Sequence, residues 1–256
     1  MKISANHSEA LLAQLRADAL RIDAIEWVDN LSPTTIGQAR AEFPSLPFHF
    51  HPGRMRFTKA GHAHLNEYLA LCPQSPYISI HLAPLPTYVT KTALRRGIML
   101  PAPGTNFMLE RFIRQVRQLQ QQCDRPVILE NMPTLHPTRY RFESEPAQIR
   151  RVLDESGCGL LLDLAHARIA AEARAEDVRV YLSALPLKKT VQIHMAGVRR
   201  QPDGRLYDAH EALTEEDYRL LEWTLERVQP EWLTLEYFRE DPSALLEQLQ
   251  RLSSLT

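Results

Sequence analysis

The chain is predicted to fold as an α/β protein of the (β/α)8 type, a TIM barrel, in one domain over residues 1–256. Three observations predict it. Short apolar runs of about five residues alternate with longer segments of helical periodicity, the pattern of βαβ units around a parallel sheet. The length of 256 residues is the size of one such barrel. No glycine-rich phosphate loop follows the first strand, where an open dinucleotide-binding sheet would carry one.

Eight strands are predicted: Lys2–Ala5, Asp23–Val28, Leu46–His51, Tyr77–His81, Pro126–Glu130, Gly159–Asp163, Thr190–His194 and Trp232–Glu236. Helices fall between them. Glu9–Leu20 repeats Leu11, Leu12, Leu15 and Ala19. Thr105–Gln121 carries Phe107, Leu109, Phe112, Val116 and Leu119 on one face. Pro146–Glu155 follows Ser144 as its expected N-cap. Glu215–Val228 follows Thr214, with Asp217 placed to complete a capping box. Pro242–Leu252 follows Asp241, which puts proline at the first helical position. One loop is long. Leu82–Gly104 carries several prolines with Lys91, Arg95 and Arg96, the composition of a lid or binding loop.

Composition narrows the function. Formal net charge is −1, from 30 basic and 31 acidic residues, so no bulk attraction to nucleic acid or an anionic membrane is expected. Cys72, Cys123 and Cys158 are scattered, with no C-x-x-C pair, as in a reducing compartment. No apolar leader opens the chain and no apolar run is long enough to span a bilayer, so a cytoplasmic enzyme is the expectation.

The ends of the predicted strands carry the chemistry. The second ends near Glu26, the third in His49-Phe50-His51, the fourth in His81, the fifth in Glu130-Asn131 and the sixth in Asp163, with His166 three residues on. The seventh ends in His194, followed by Asp208-Ala209-His210, and the eighth in Glu236. A barrel brings all C-terminal strand ends to one mouth. Imidazole and carboxylate together suit iron, zinc or manganese without thiolate. Counting His49 or His51 once, about nine ligands exceed what one ion takes and point to two or three ions. His194, Glu130 and Asp163 are the expected catalytic centre. Asn131, Arg95 and Arg199 are expected at the substrate, with Arg96 and Arg200 as neighbours on the same loops. Glu26 is expected as a hydrogen-bonding residue at the rim. His62, His64 and His136 fall off the pattern and are expected at the surface, and His7 follows the first strand without support.

The order His, His, Glu-Asn, Asp-x-x-His, His, Asp-x-His, Glu resembles the trinuclear barrels of the xylose-isomerase-like superfamily, which includes the type-IV apurinic endonucleases. The wording Ser79-Ile80-His81-Leu82, Leu129-Glu130-Asn131, Leu161-Leu162-Asp163 and Ile193-His194-Met195-Ala196-Gly197 is more similar to the multinuclear non-haem iron-dependent oxidases of the methanobactin-biosynthesis type, over about Ile22 to Glu236. His166 departs from that family, which usually has asparagine there. The resemblance implies iron with O2 as co-substrate. It also implies oxidation of a peptide or small thiol-containing substrate, delivered in some members by a partner protein, with no role for a membrane or nucleic acid. The alternatives are a metal-dependent phosphodiesterase and a sugar isomerase or epimerase.

Overall fold

A computed structural model describes residues 1–28, 31–53, 57–83, 92, 96–97, 104–133 and 141–255. Eight parallel strands close on themselves: β1 (Lys2–Asn6), β2 (Ala24–Val28), β3 (Phe48–Gly53), β4 (Ile78–His81), β5 (Val127–Glu130), β6 (Gly159–Asp163), β7 (Thr190–Met195) and β10 (Trp232–Leu235). Strand β10 pairs with β1 to complete the barrel. After β7 an antiparallel hairpin, β8 (Gly197–Arg200) and β9 (Leu206–Glu211), stands apart from the barrel sheet. Sequence alone places Asp208 and His210 on a loop after the seventh strand.

Alternation along each strand sorts side chains into two sets. Ile3, Ile25, Trp27, Phe48, Phe50, Ile78, Ile80, Leu129, Leu160, Leu162, Ile193, Leu233 and Leu235 belong to the main apolar core. There they meet α1 (Glu9–Arg16), α2 (Pro33–Glu42), α3 (Lys59–Leu71), α4 (Thr105–Gln122), α5 (Pro146–Ser156), α6 (Leu164–Ala173), α7 (Val178–Ala184), α8 (Glu215–Leu225) and α9 (Pro242–Ser253). The other set includes a second apolar cluster of Ala24, Tyr77, Ile128, Leu161 and Trp232, all at the N-terminal ends of or just before their strands or one pleat in. Two residues further along the same strands stand Glu26, Ser79, Glu130, Asp163 and Thr234. The barrel interior therefore passes from apolar to ionisable toward its C-terminal mouth.

Helix termini follow the expected chemistry in most places. Asp217 accepts from the Thr214 amide and hydroxyl, each at 2.8 Å, which closes the capping box of α8. Asp241 accepts from the amides of Ser243 and Ala244 and caps α9. Ser144 is not the cap of α5. It ends a short 3-10 turn (Arg141–Ser144), and Glu145 holds the N-cap position without a side-chain bond. Pro146 holds the first helical position, so the helix starts where predicted and the residue before it, Glu145, is the N-cap. Predicted helices Glu9–Leu20 and Glu215–Val228 stop early, at Arg16 and Leu225.

Candidate metal centre

Strand register builds the site. In the β4–β5 pair His81 stands beside Glu130, and in the β6–β7 pair Asp163 stands beside His194. Glu130, Asp163 and His194 are buried. The hairpin then folds Asp208 and His210 over the mouth. His210 adopts φ +48°, a left-handed conformation unusual for a side chain with a Cβ and costing about 1 kcal/mol.

Three triads each offer three ligand atoms within 4.8 Å of one another: His51, His81 and Glu130; Glu130, Asp163 and His166; Glu26, His194 and Glu236. Glu130 belongs to two of them. Its Oε2 lies 3.2 Å from His51 Nε2 and 3.1 Å from His81 Nε2, while its Oε1 lies 3.0 Å from His166 Nδ1. Farther round the mouth, Asp208 Oδ2 lies 3.4 Å from His166 Nε2 and 3.2 Å from His210 Nε2. Glu236 Oε2 lies 3.3 Å from the same His210 nitrogen, and its Oε1 lies 3.3 Å from His194 Nδ1. Two ligand atoms about 2.1 Å from one ion stand about 3.0 Å apart at right angles and about 3.4 Å apart at tetrahedral angles. The spacing of these pairs is therefore that of ligands sharing an ion, except at His166 Nδ1, which lies 2.9 Å from the Asn131 carbonyl oxygen and donates its hydrogen there.

Unsatisfied atoms support the same fit. Glu130 Oε2, Asp163 Oδ2, Glu26 Oε1 and His194 Nδ1 are buried without a hydrogen-bond partner. A buried carboxylate oxygen left without a donor is costly, and a cation removes that cost. Asp163 divides its oxygens. Oδ1 accepts from the His166 amide at 2.6 Å and caps α6, which leaves Oδ2 free. The Asp-x-x-His spacing is thus the spacing of an N-cap and its third helical residue. His51 Nδ1 shares a 2.9 Å hydrogen bond with Ser79 Oγ, and Nε2 is the nitrogen turned to Glu130.

Charges crowd this space. Burial and the facing carboxylates Glu130, Asp208 and Glu236 push Asp163 up to about 7, against the pull of His166. For His166, burial is outweighed by Asp163 and Glu130, which hold the imidazole well above its ordinary value. His194 is raised well above its ordinary value in the same way, burial being outweighed by Glu26 and Glu236. Burial works against Glu130 and Glu236 too, but their histidine neighbours hold both carboxylates well below the ordinary range.

The mouth is a cavity of about 720 Å3 lined by His51, His81, Glu130, His166, Asp208, His210 and Glu236, with Gly53 and Pro52 at one side. Val28, Met132, Pro133, Tyr207 and Phe238 complete the wall, and Phe238 lies 4.5 Å from the His210 ring. The sequence reading missed these apolar residues, because nothing in their type marks them. Gly53, at φ +58°, passes so close to His81 that a Cβ there would stand 3.3 Å from the ring.

Other predicted site residues sit elsewhere. His49 lies deeper than His51, 4.0 Å from the Trp232 ring and 5.5 Å from Tyr77, with both nitrogens unpartnered. Burial brings it down to about 4. Asn131 donates to the Asp163 carbonyl at 3.0 Å and accepts from the Asp163 amide at 2.9 Å, so it braces that backbone. Arg199 pairs with Glu211 at 2.8 Å and does not line the cavity; Arg200 pairs with Glu172. Arg95 and His136 lie outside the described residues, and Arg96 is exposed. His7 is buried beside Trp27 and is not part of the cavity wall. His62 and His64 lie on α3.

Fold and site together define a TIM barrel with a candidate metal centre at its mouth. Residues 56–255 match the family model described as RiPP precursor modification enzyme MbnB/TglH/ChrH, and the chain belongs to that family. Curated relatives carry only the name UPF0276 protein. One from Paraburkholderia phytofirmans is 32% identical over 61% of this chain and 52% of its own. Another, from Bordetella bronchiseptica, is 35% identical over 61% of this chain and 56% of its own. The chain spans about half the length of the curated relatives it matches. Among solved structures, a D-tagatose 3-epimerase-like protein superposes with TM-score 0.66 at 14% identity, over 100% of this chain and 97% of its own. A xylose isomerase-like TIM barrel protein from Mycobacterium smegmatis in complex with magnesium superposes with TM-score 0.58 at 16% identity, over 99% and 96%. At such identities these two show the fold alone. No helix among the described residues is long and apolar enough to cross a membrane.

Proposed function

We propose that this protein is a multinuclear iron-dependent oxidase that modifies a thiol-containing peptide with O2. The observation that carries the reading is Glu130, one carboxylate shared between two ligand triads, in a chain of the RiPP precursor modification family. His51, His81 and Glu130 would hold one ion, and Glu130, Asp163 and His166 a second. His194, His210 and Glu236, with Asp208 beside them, would hold a third. Zinc and manganese suit the same donors, and iron is preferred because the reaction is redox. Bound there, such ions supply Lewis acidity and electrons that bring a thiolate and O2 to reaction.

The chain's own residues do the rest. Ser79 orients the His51 ring, and Asn131 and the cap of α6 fix Asp163. Val28, Met132, Pro133, Tyr207 and Phe238 give the substrate an apolar wall and limit water at the mouth. Among the described residues the cavity wall has no lysine or arginine, a poor match to a phosphodiester. A partner protein that presents the peptide belongs to the proposal, as does a cytoplasmic setting.

The test uses protein purified and iron-loaded anaerobically, mixed with a short cysteine-containing peptide encoded beside its gene. O2 uptake with a mass change on the peptide is expected. Nicking of abasic DNA by a zinc form, or aldose–ketose interconversion without O2, would assign the site to hydrolysis or isomerisation instead.

A further inference from the structure

We infer that Glu26 is not a metal ligand but the orienting carboxylate of His194, pinned beneath the metal centre by a buried chain of Gln192, Thr234 and Ser4. The inference rests on the metal-centre reading and deepens it.

The two nitrogens of His194 face different surroundings. Nδ1 has no hydrogen-bond partner and lies 3.3 Å from Oε1 of Glu236, a cavity residue. Nε2 points the other way, with the two Glu26 oxygens at 3.1 and 3.2 Å. Glu26 is as fully buried as His194, its Oε2 accepts from Gln192, and its Oε1, which has no hydrogen-bond partner, lies 3.1 Å from His194 Nε2. A neutral imidazole offers one lone pair and one N–H. The ion therefore belongs at Nδ1, and Nε2–H is donated to Glu26.

The space at Nε2 is already filled. The Gln192 amide nitrogen lies 2.9 Å from His194 Nε2 and 2.7 Å from Glu26 Oε2. An amide nitrogen bears hydrogens and has no lone pair to give, so a cation there would meet its positive end. Both donors converge on the Glu26 carboxylate, Gln192 at Oε2 and His194 Nε2 across both oxygens. The second Gln192 hydrogen goes to Thr234 Oγ1 at 2.6 Å, and Thr234 shares a 2.6 Å hydrogen bond with Ser4 Oγ. All five side chains are fully buried and come from β1, β2, β7 and β10, so the chain ties four strands to one imidazole. A carboxylate behind a ligating histidine fixes the tautomer and makes the ring a better donor, and removing it typically lowers metal affinity by about 10- to 100-fold.

The test is a cobalt(II) titration of the metal-free protein, followed by visible absorption, in wild type, Glu26→Gln and Gln192→Leu. Glu26→Gln is expected to keep the wild-type number of cobalt ions at saturation and the wild-type band positions, with affinity lower by about 10- to 100-fold. Gln192→Leu is expected to shift affinity in the same direction, and it carries the comparison if Glu26→Gln does not fold. Loss of one cobalt equivalent at saturation in Glu26→Gln, or displaced bands, would make Glu26 a ligand and overturn the inference. Wild-type affinity in the variants would overturn it as well. A wild-type protein that binds no cobalt refutes the metal centre itself, a separate result.

Discussion

Oε1 of Glu130 lies 3.0 Å from His166 Nδ1, while its other oxygen faces His51 and His81. One carboxylate thus serves two groups of ligands, and its loss should be felt by both. Glu130→Gln is expected to lower metal content by more than one ion per chain. Metal analysis of anaerobically prepared protein checks this. A loss confined to one ion would make Glu130 a terminal ligand.

Proton linkage gives a second prediction. In the metal-free protein His166 is held well above its ordinary value against burial by Asp163 and Glu130, and His194 likewise by Glu26 and Glu236. These rings keep a proton at neutral pH that a metal must displace. Asp163, at about 7, adds another below that pH. Metal affinity is therefore expected to rise from roughly pH 6 to pH 8, with protons released on binding. Calorimetry in two buffers of different ionisation enthalpy measures the release directly. Uptake of protons, or affinity that falls with pH, contradicts the electrostatics described.

Depth separates the two histidines of β3. His49→Phe is expected to keep the full metal content, because neither nitrogen of His49 reaches a triad and its ring already sits against Trp232 and Tyr77. His51→Ala is expected to empty the ion shared with His81. Metal analysis of the pair decides between the two positions.

Two glycines hold the backbone close to ligands. A Cβ at Gly53 would stand 3.3 Å from His81, at a φ of +58°. At Gly197 it would stand 2.5 Å from the carbonyl oxygens of Glu211 and Ala212, where β8 meets the strand that carries Asp208 and His210. Gly53→Ala is expected to lower stability by about 1–2 kcal/mol and to weaken the ion at His81. Gly197→Ala should displace the hairpin and weaken the ion at His210. Thermal unfolding with metal analysis checks both, and a Gly197→Ala protein with wild-type metal content would show that the hairpin absorbs the clash.

Much of this architecture is readable from the chain because inward and outward residues alternate so regularly. Leu160 and Leu162 face the helices while Leu161 and Asp163 face the barrel interior, and the same rule locates Glu26, Glu130 and His194. The ligand residues carry chemistry in their type, so position and type agree. His49 and His51 share a face, and only depth in the barrel separates them. Helices α2, α3, α6 and α7 have no counterpart among the predicted helices, and for α2 the reason is local. Thr34, Thr35 and Gly37 are poor helix formers, and packing of Ile36 and Ala39 overrides them. Gln192 was overlooked, although its spacing of two from His194 marks it as facing the same interior. Arg199 and Asn131 show the opposite limit, since their types suit substrate but their bonds go to Glu211 and to the Asp163 backbone.

The central claim is a centre of two or three ions built on Glu130. It is tested most directly by the metal identity and stoichiometry of protein prepared without O2. Two or three ions per chain, with iron predominant, is the predicted result. One ion or fewer per chain, after loading with excess iron, would contradict it.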